Sequence, residues 1–564
     1  MTGKPEDLLI SKSEGRQYGR KVFTLPSVEV GSILEYYYQL HYDQNSFMSP
    51  YWEIQRPYYV HKAHFTFTPY GDFMPGGQNG GGQSGDSLLH LLVDEHGDRV
   101  NTLVWWPVLP PGVTVKTEST GRYTVDISDV PPMPDEEWMP PVQNFRYKVL
   151  FYYKSASNVD DFWVAELKRW SKDVDRFAET AKSIHEAVNG LIAPGDGDLE
   201  KARKLYKAVQ ALDNTDFSRR KGEAELKQLR LKVAKRAEDT WSQKSGSSED
   251  IALLYLAMVR AAGLNAKAMK VVDRQKGIFD PSYLSVSQLN ATIVILDVGG
   301  KEIVLDPGQK MCPFQTVHWR HSNAGGFLQG SDGRTPKTSP AQAYTDNKLA
   351  RSGDIVLDGR AAVTGTLRFS MTGQEALYWR QLTLGYDEDE VKKQFDRWIA
   401  TMVPDGVEAH IDHFQGLDDP DVILVAAIKA QGTLGMTTSK RVLLPGFFFE
   451  TRGHHPFVGQ EKRQEPVDMH YGELVSDQVA YHLPPGLAVE GAPQDAKISW
   501  PEHAMLVTKT VSAPGQIVIA RTLALAFTFA MPNEYSDLRG FYQKVAAADR
   551  QQVVLTASPA AKGN

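Results

Sequence analysis

The sequence predicts a multidomain chain: a β-sandwich, then an α+β domain, then a C-terminal β-rich domain. Three observations carry this reading. Up to about residue 155, short strand-like runs alternate with Gly/Pro turns. From Asp160 the composition shifts to Ala, Lys, Glu, Leu and Arg at helical spacing. From Gly353 short β-type runs return. The expected boundaries are 1–158, 159–345 and 351–564. Several domains also suit a chain of 564 residues.

In the first part, Val22-Phe23-Thr24-Leu25-Pro26, residues 32–40 and the aromatic/polar alternation of 58–68 read as strands. Residues 75–86 are too polar and glycine-rich to pack and read as a loop. Strands are expected again at 89–94, 102–106 and 146–153.

The second part opens on a helix that puts Phe162, Trp163, Leu167 and Trp170 on one face, with Val174, Phe177, Ala181 and Ile184 continuing the pattern. Ala193-Pro194-Gly195-Asp196-Gly197 interrupts it, 199–212 resumes it, and a further helix is expected over about 224–241. Residues 325–341 read as a Gly/Ser/Pro linker. In the third part, strands are expected at 363–369, 422–429 and 517–529, and helices at about 389–402 and 539–549. The last residues, 558–564, should fray.

Composition excludes some roles. The chain is 41% hydrophobic and 23% charged, as globular proteins are, and no run approaches the about 20 apolar residues of a membrane helix. Net charge is −7 with no dense Lys/Arg block, so neither nucleic acid nor an anionic membrane is an expected partner. The single cysteine, Cys312, precludes an internal disulfide, and no metal or other cofactor is expected. The first residues, Met1-Thr2-Gly3-Lys4-Pro5-Glu6-Asp7, do not form a basic and apolar leader.

The chain is organised around residues 246–308. Ser247 to Asp250 opens a helix whose buried face is Ile251, Leu254, Tyr255, Met258, Val259 and Ala262, and Gly263 suits the left-handed stop. Strands follow at 266–273, 292–298 and 302–305, with a tight hairpin at Gly299-Gly300 and a carboxylate, Asp306, at the end. A helix N-terminus stabilises a thiolate, a histidine on one strand takes its proton, and a carboxylate on the next orients that histidine. The same order of elements lays out a papain-like Cys-His-Asp site.

Gly246-Ser247-Ser248-Glu249-Asp250-Ile251-Ala252, with Arg260-Ala261-Ala262-Gly263, resembles the bacterial transglutaminase-like domain, whose motif is Gly-x-Cys-x-Asp-x-Ala, a helix, then Arg-Ala-x-Gly. Gln288-Leu289-Asn290-Ala291 is similar to the segment carrying the family histidine, and Leu305-Asp306-Pro307 to the third element. Phe23 to Pro26 with Gly31 to Tyr36 resembles the β-domain of unknown function that precedes this domain in bacterial proteins. Residues from about 351, including 535–542, resemble the one that follows it.

The departures from the pattern decide the functional expectation. The family cysteine falls on Ser248 and the family histidine on Ala291, so only Asp306 matches the triad. Serine needs an adjacent base and alanine cannot supply one. No histidine occurs between residues 246 and 316, so a shift of register cannot restore the site.

Each residue also has a plainer reading. Ser247 and Asp250 form a capping box, Asp306 before Pro307-Gly308 shapes a turn, and Cys312 is an incidental thiol. His318 and His321, like His454 and His455, read as surface or rim residues. His61 and His64 point to opposite faces of a strand.

The expected function is therefore a catalytically inactive relative that binds protein, peptide or glycan at the bacterial cell envelope. Ser248, Asn290 and Asp306 would line the vacated cleft. The alternative is a residual hydrolase or acyltransferase using Ser248, a distant histidine such as His318 or His321, and Asp306. The resemblance implies a periplasmic or secreted protein whose chain here begins partway into its first domain.

Overall fold

A computed structural model of the protein describes residues 6–13, 16–22, 28–39, 50–69, 102–154, 159–218, 222, 225, 228, 231–438 and 440–557. The features expected at 23–26, 75–86, 89–94 and 558–564 lie outside the described residues, as do 224, 226, 227, 229 and 230. The helix expected over about 224–241 is interrupted, since 231–236 are not helical and a helix forms again only from Ala237. The chain forms two compact units, 1–49 and 50–564.

In the first unit, Glu6–Ser13 and Arg16–Val22 pair as an antiparallel hairpin. The strand expected over 32–40 is not formed where it is described. Residues 32–39 carry no regular element and Tyr36, Tyr37 and Tyr38 are exposed. Aromatic composition favours a half-buried sheet surface, and among the described residues this segment pairs with no strand.

The second unit begins with two three-stranded antiparallel sheets. One orders Tyr51–Glu53, Lys148–Lys154 and Thr102–Val108; the other orders Val60–Phe67, Tyr123–Val130 and Lys116–Thr117. Alternate residues of both turn inward, and Trp52, Val125, Val149 and Phe151 form the shared core.

The helices that follow include α1 (Val159–Phe177), α2 (Lys182–Leu191), α3 (Asp198–Gln210), α4 (Ala237–Gln243) and α5 (Ser248–Ala261). Helices α1 to α4 and the strands Asn265–Val271 and Ala291–Val298 all pack on α5. As a result every residue from Ile251 to Val259 is buried. The one-sided face read from the sequence is corrected to a helix covered all round.

Beside α5 lies a five-stranded antiparallel sheet, in the order Lys301–Leu305, Ala291–Val298, Asn265–Val271, Gly325–Leu328, Lys337–Thr338. Gly299 and Gly300, both at positive φ, form the two-residue turn that the sequence predicted. The linker expected over 325–341 is instead part of this sheet. A Cβ on Gly326 would stand 2.0 Å from the Lys270 carbonyl oxygen, so the glycine is there for close strand approach.

The remaining chain is β-rich. Eight strands form one sheet, in the order Val407–Gln415, Leu424–Thr433, Ala362–Met371, Lys348–Leu357, Glu473–His482, Gln516–Leu525, Ala504–Ala513, Ala496–Trp500. Only the Lys348–Leu357 and Glu473–His482 pair in it is parallel. Helices α6 (Gly373–Leu382), α7 (Glu388–Ala400) and α8 (Tyr535–Asp549) accompany it. The sequence reading had no counterpart for α6. Under the sheet, Arg351 bonds Asp477 at 2.6 and 2.7 Å and Glu450 at 2.5 Å, and Arg521 bonds Asp549 at 2.8 and 2.9 Å. Among the described residues no helix is long and apolar enough to cross a membrane.

Candidate functional site

The N-terminus of α5 is built as its sequence dictates. The Ser247 hydroxyl accepts from the Asp250 amide at 3.1 Å, and the Asp250 carboxylate accepts from the Ser247 amide at 2.9 Å. Together they satisfy two of the amides that a helix start leaves open. Ser248 is held differently. Its amide donates to Asp216 Oδ2 at 2.9 Å, and its hydroxyl contacts the Asn214 side-chain amide at 3.3 and 3.4 Å. Asn214 also donates to the Gly308 carbonyl at 2.9 Å, which ties the Asp-Pro-Gly turn to the helix start. A Cβ on Gly308 would lie 2.6 Å from the Ser248 carbonyl oxygen, so this contact requires glycine.

Asp306 sits just past the strand Lys301–Leu305 and has no exposed surface. Its Oδ2 accepts from the His318 amide at 3.1 Å and from His321 Nδ1 at 2.8 Å. Its Oδ1 is buried with no hydrogen-bond partner among the described residues. The Tyr206 hydroxyl donates to the Asp306 and Cys312 carbonyls, each at 3.1 Å, and fixes the loop between them. Thus the carboxylate expected to orient a family histidine holds His321, fifteen residues downstream.

Burial and charge act oppositely on the two imidazoles. Burial lowers the His321 pKa, but the charge and hydrogen bond of Asp306, helped by Asp273, more than offset it, and the net pKa is raised. Burial, then His321 and Arg320, push His318 well below its ordinary value. His318 Nδ1 accepts from the Arg320 amide at 3.2 Å, so the proton of the neutral ring belongs on Nε2. Both histidines were expected at the surface or rim, and both are buried, at 6% and 5% exposure. Nor do they share a helical face, because residues 319–323 form turns. The reason for the difference is Asp306, whose buried oxygen draws in both an imidazole and a backbone amide.

The other positions are now placed. Ala291 opens the strand Ala291–Val298 opposite Val271. Asn290 is exposed, and its Oδ1 accepts from the Asp273 amide at 2.8 Å. Ser248 is half-buried, whereas Asp306, expected to line the cleft, presents no surface to it. Among the described residues, Ser248 Oγ has no imidazole partner. Sequence reasoning missed Asn214 and Asp216. They lie over thirty residues before the helix and reach it through the parallel pairing of Asp213–Asn214 with Ser245–Gly246. Arg260, the motif arginine, bonds the Ala266 carbonyl, Asp175 and Gln329, so it ties α5 to α1 and to the sheet.

Among the described residues, Cys312, His61 and His64 lie apart from Ser248 in their contacts. Burial pushes the Cys312 thiol well up, which makes it inert, and its Sγ lies 3.4 Å from the Thr316 carbonyl. His61 and His64 are exposed on their strand, and His64 contacts Asp126 at 2.6 Å. Glu450, His455 and Asp549 bring ligand-type atoms within 4.8 Å of one another. Arg351 holds Glu450, and Arg521 with His455 holds Asp549, so a cation entering there would have to displace guanidinium contacts.

Comparison with known proteins adds a limited set of relations. The model of a domain of unknown function, DUF3858, matches residues 440–555. No curated protein matches the chain. One similar solved structure is described as a "putative protease" from Parabacteroides distasonis. It is 12% identical, with 90% of this chain and 75% of that chain covered and a TM-score of 0.48. A second is described as a "putative cysteine protease" from Cytophaga hutchinsonii. It is 11% identical, with 45% of this chain and 74% of that chain covered and a TM-score of 0.14.

Proposed function

We propose that this chain is a catalytically silent, transglutaminase-like protein that binds a ligand at the bacterial cell envelope rather than transforming it. One observation carries the reading: both polar groups of Ser248 are occupied by residues that oppose catalysis. The hydroxyl faces the Asn214 amide, which cannot act as a base. The backbone amide of Ser248, which would otherwise be open to a developing oxyanion, faces the Asp216 carboxylate. A negative charge at that position works against the transition state of acyl transfer.

The alternative is a hydrolase or acyltransferase built on Ser248. In its favour, Asp306 and His321 form an orienting pair at 2.8 Å. Against it, His321 is buried and makes no bond to Ser248 Oγ.

The test is hydrolysis and crosslinking of peptide amides by the purified chain. We expect no turnover above background, and the same result for Ser248→Ala. Turnover that Ser248→Ala abolishes would overturn the proposal.

A further inference from the structure

A cavity of about 540 Å3 lies away from the helix start, between the turns at 316–323 and helices α6 and α7. His318, Trp319, Arg320, Tyr378, Trp398 and Tyr471 are among its walls. His318 is more than nine-tenths buried, its Nδ1 is taken by a backbone amide, and its Nε2 has no partner among the described residues. It therefore offers the cavity one neutral N–H donor.

Arg320 is the second donor. No carboxylate pairs with it among the described residues, and its buried Nε has no hydrogen-bond partner. Its guanidinium lies 5.8 Å from the Trp319 ring centre, and Trp319 is held flat by His470 stacked at 4.0 Å. The other wall charges are committed. Arg397 bonds Glu390 at 2.9 Å, and Glu375 accepts from Trp379 at 2.8 Å. Burial raises the Glu375 pKa, partly offset by its bond from Trp379.

We infer that this cavity is a binding site for a monocarboxylate ligand with a flat or ring-shaped body. One unpaired guanidinium fork matches one carboxylate in a bidentate pair, and the His318 N–H supplies a further bond. A dianionic phosphate would be left half-neutralised. Tyr378, Trp398 and Trp319 provide stacking faces, and the volume lies in the range of small-molecule sites. Two sources share this chemistry, the free C-terminus of a peptide and an acidic sugar. The inference deepens the binding role proposed above but does not use the triad, so Ser248-dependent turnover would end that role and leave this one standing.

The test titrates the full chain calorimetrically with two matched pairs. The peptide pair is N-acetyl-tyrosyl-alanine and its C-terminal amide; the sugar pair is glucuronic acid and glucose. In one pair the acid should bind about tenfold tighter than its neutral counterpart, as a charged hydrogen-bonded pair supplies. That pair identifies the source. Arg320→Gln should bring the acid to the affinity of the neutral compound. Tyr378→Ala, at a side chain that is 54% exposed and not needed for the core, should weaken both members. The inference is overturned if neither acid is preferred, or if Arg320→Gln leaves the preference intact.

Discussion

Glu473→Gln should stabilise the protein at pH 8 and do much less at pH 5. Glu473 begins the strand Glu473–His482, is half-buried and lines a cavity of about 370 Å3, so its carboxyl is partly withdrawn from bulk water. It makes no side-chain hydrogen bond among the described residues. Burial, reinforced by Glu375 and Glu450 and only partly offset by Arg351, raises its pKa from 4.5 to about 7. A raised folded-state pKa means that the unfolded chain gives up the proton first. The stability tied to this group is therefore complete below pH 4.5 and is lost as pH rises through about 7. Taking about 1.4 kcal/mol per pKa unit, the loss is about 0.8 kcal/mol at pH 5 and about 3 kcal/mol at pH 8. Glutamine keeps the shape and removes the titration. Urea unfolding midpoints of wild type and variant, compared at pH 5 and pH 8, should therefore diverge at the higher pH. An equal shift at both pH values, or destabilisation at pH 8, would refute the reasoning.

Three further outcomes follow from the candidate site. His321→Gln should cost about 3 kcal/mol at pH 6, because it strands the buried Asp306 carboxylate. The His321 pKa is raised, so its contribution is complete below the unfolded value of about 6.5 and fades as pH rises through the folded value. Denaturant titrations from pH 6 to 9 should show the gap between wild type and variant closing, and a constant gap would contradict the assignment. Gly308→Ala should destabilise by about 1–3 kcal/mol, because its Cβ would meet the Ser248 carbonyl oxygen at 2.6 Å; a neutral result in thermal unfolding would count against that contact. Finally, Ser248→Cys should give a thiol alkylated slowly by iodoacetamide at pH 7, and adding Asp216→Asn should lower its pKa by on the order of one unit. Buried Cys312 supplies a slow background in both. Equal alkylation rates would show that Asp216 does not set the charge at this helix start.

Local chemistry was legible in the chain itself. The Ser247/Asp250 capping box and the Gly299-Gly300 turn involve partners two to four residues apart, which chain spacing alone brings into contact. That serine stands at 248 and alanine at 291 was equally plain, because it concerns residue identity and not geometry. Glycine misled at 325–341, where it permits close strand packing that looks like a linker when no neighbour is known. Amphipathicity misled at α5, whose second face is covered by helices remote in sequence.

What only the tertiary structure decided is the set of partners. Asp306 with His321, Ser248 with Asn214 and Asp216, and Arg351 with Asp477 are 15, 34, 32 and 126 residues apart. Such pairs form after sheets and helices have assembled, and their members carry no local signal. The same holds for Arg320, whose guanidinium folding leaves beside a cavity with no carboxylate paired to it among the described residues. By itself the sequence determined that no histidine lies between residues 246 and 316 and that the single cysteine, Cys312, is remote from the helix start. The assembled fold determined that Asp306 holds His321 and that an amide and a carboxylate fill the space around Ser248, because burial drives most polar atoms to find a partner among whatever the packing brings near.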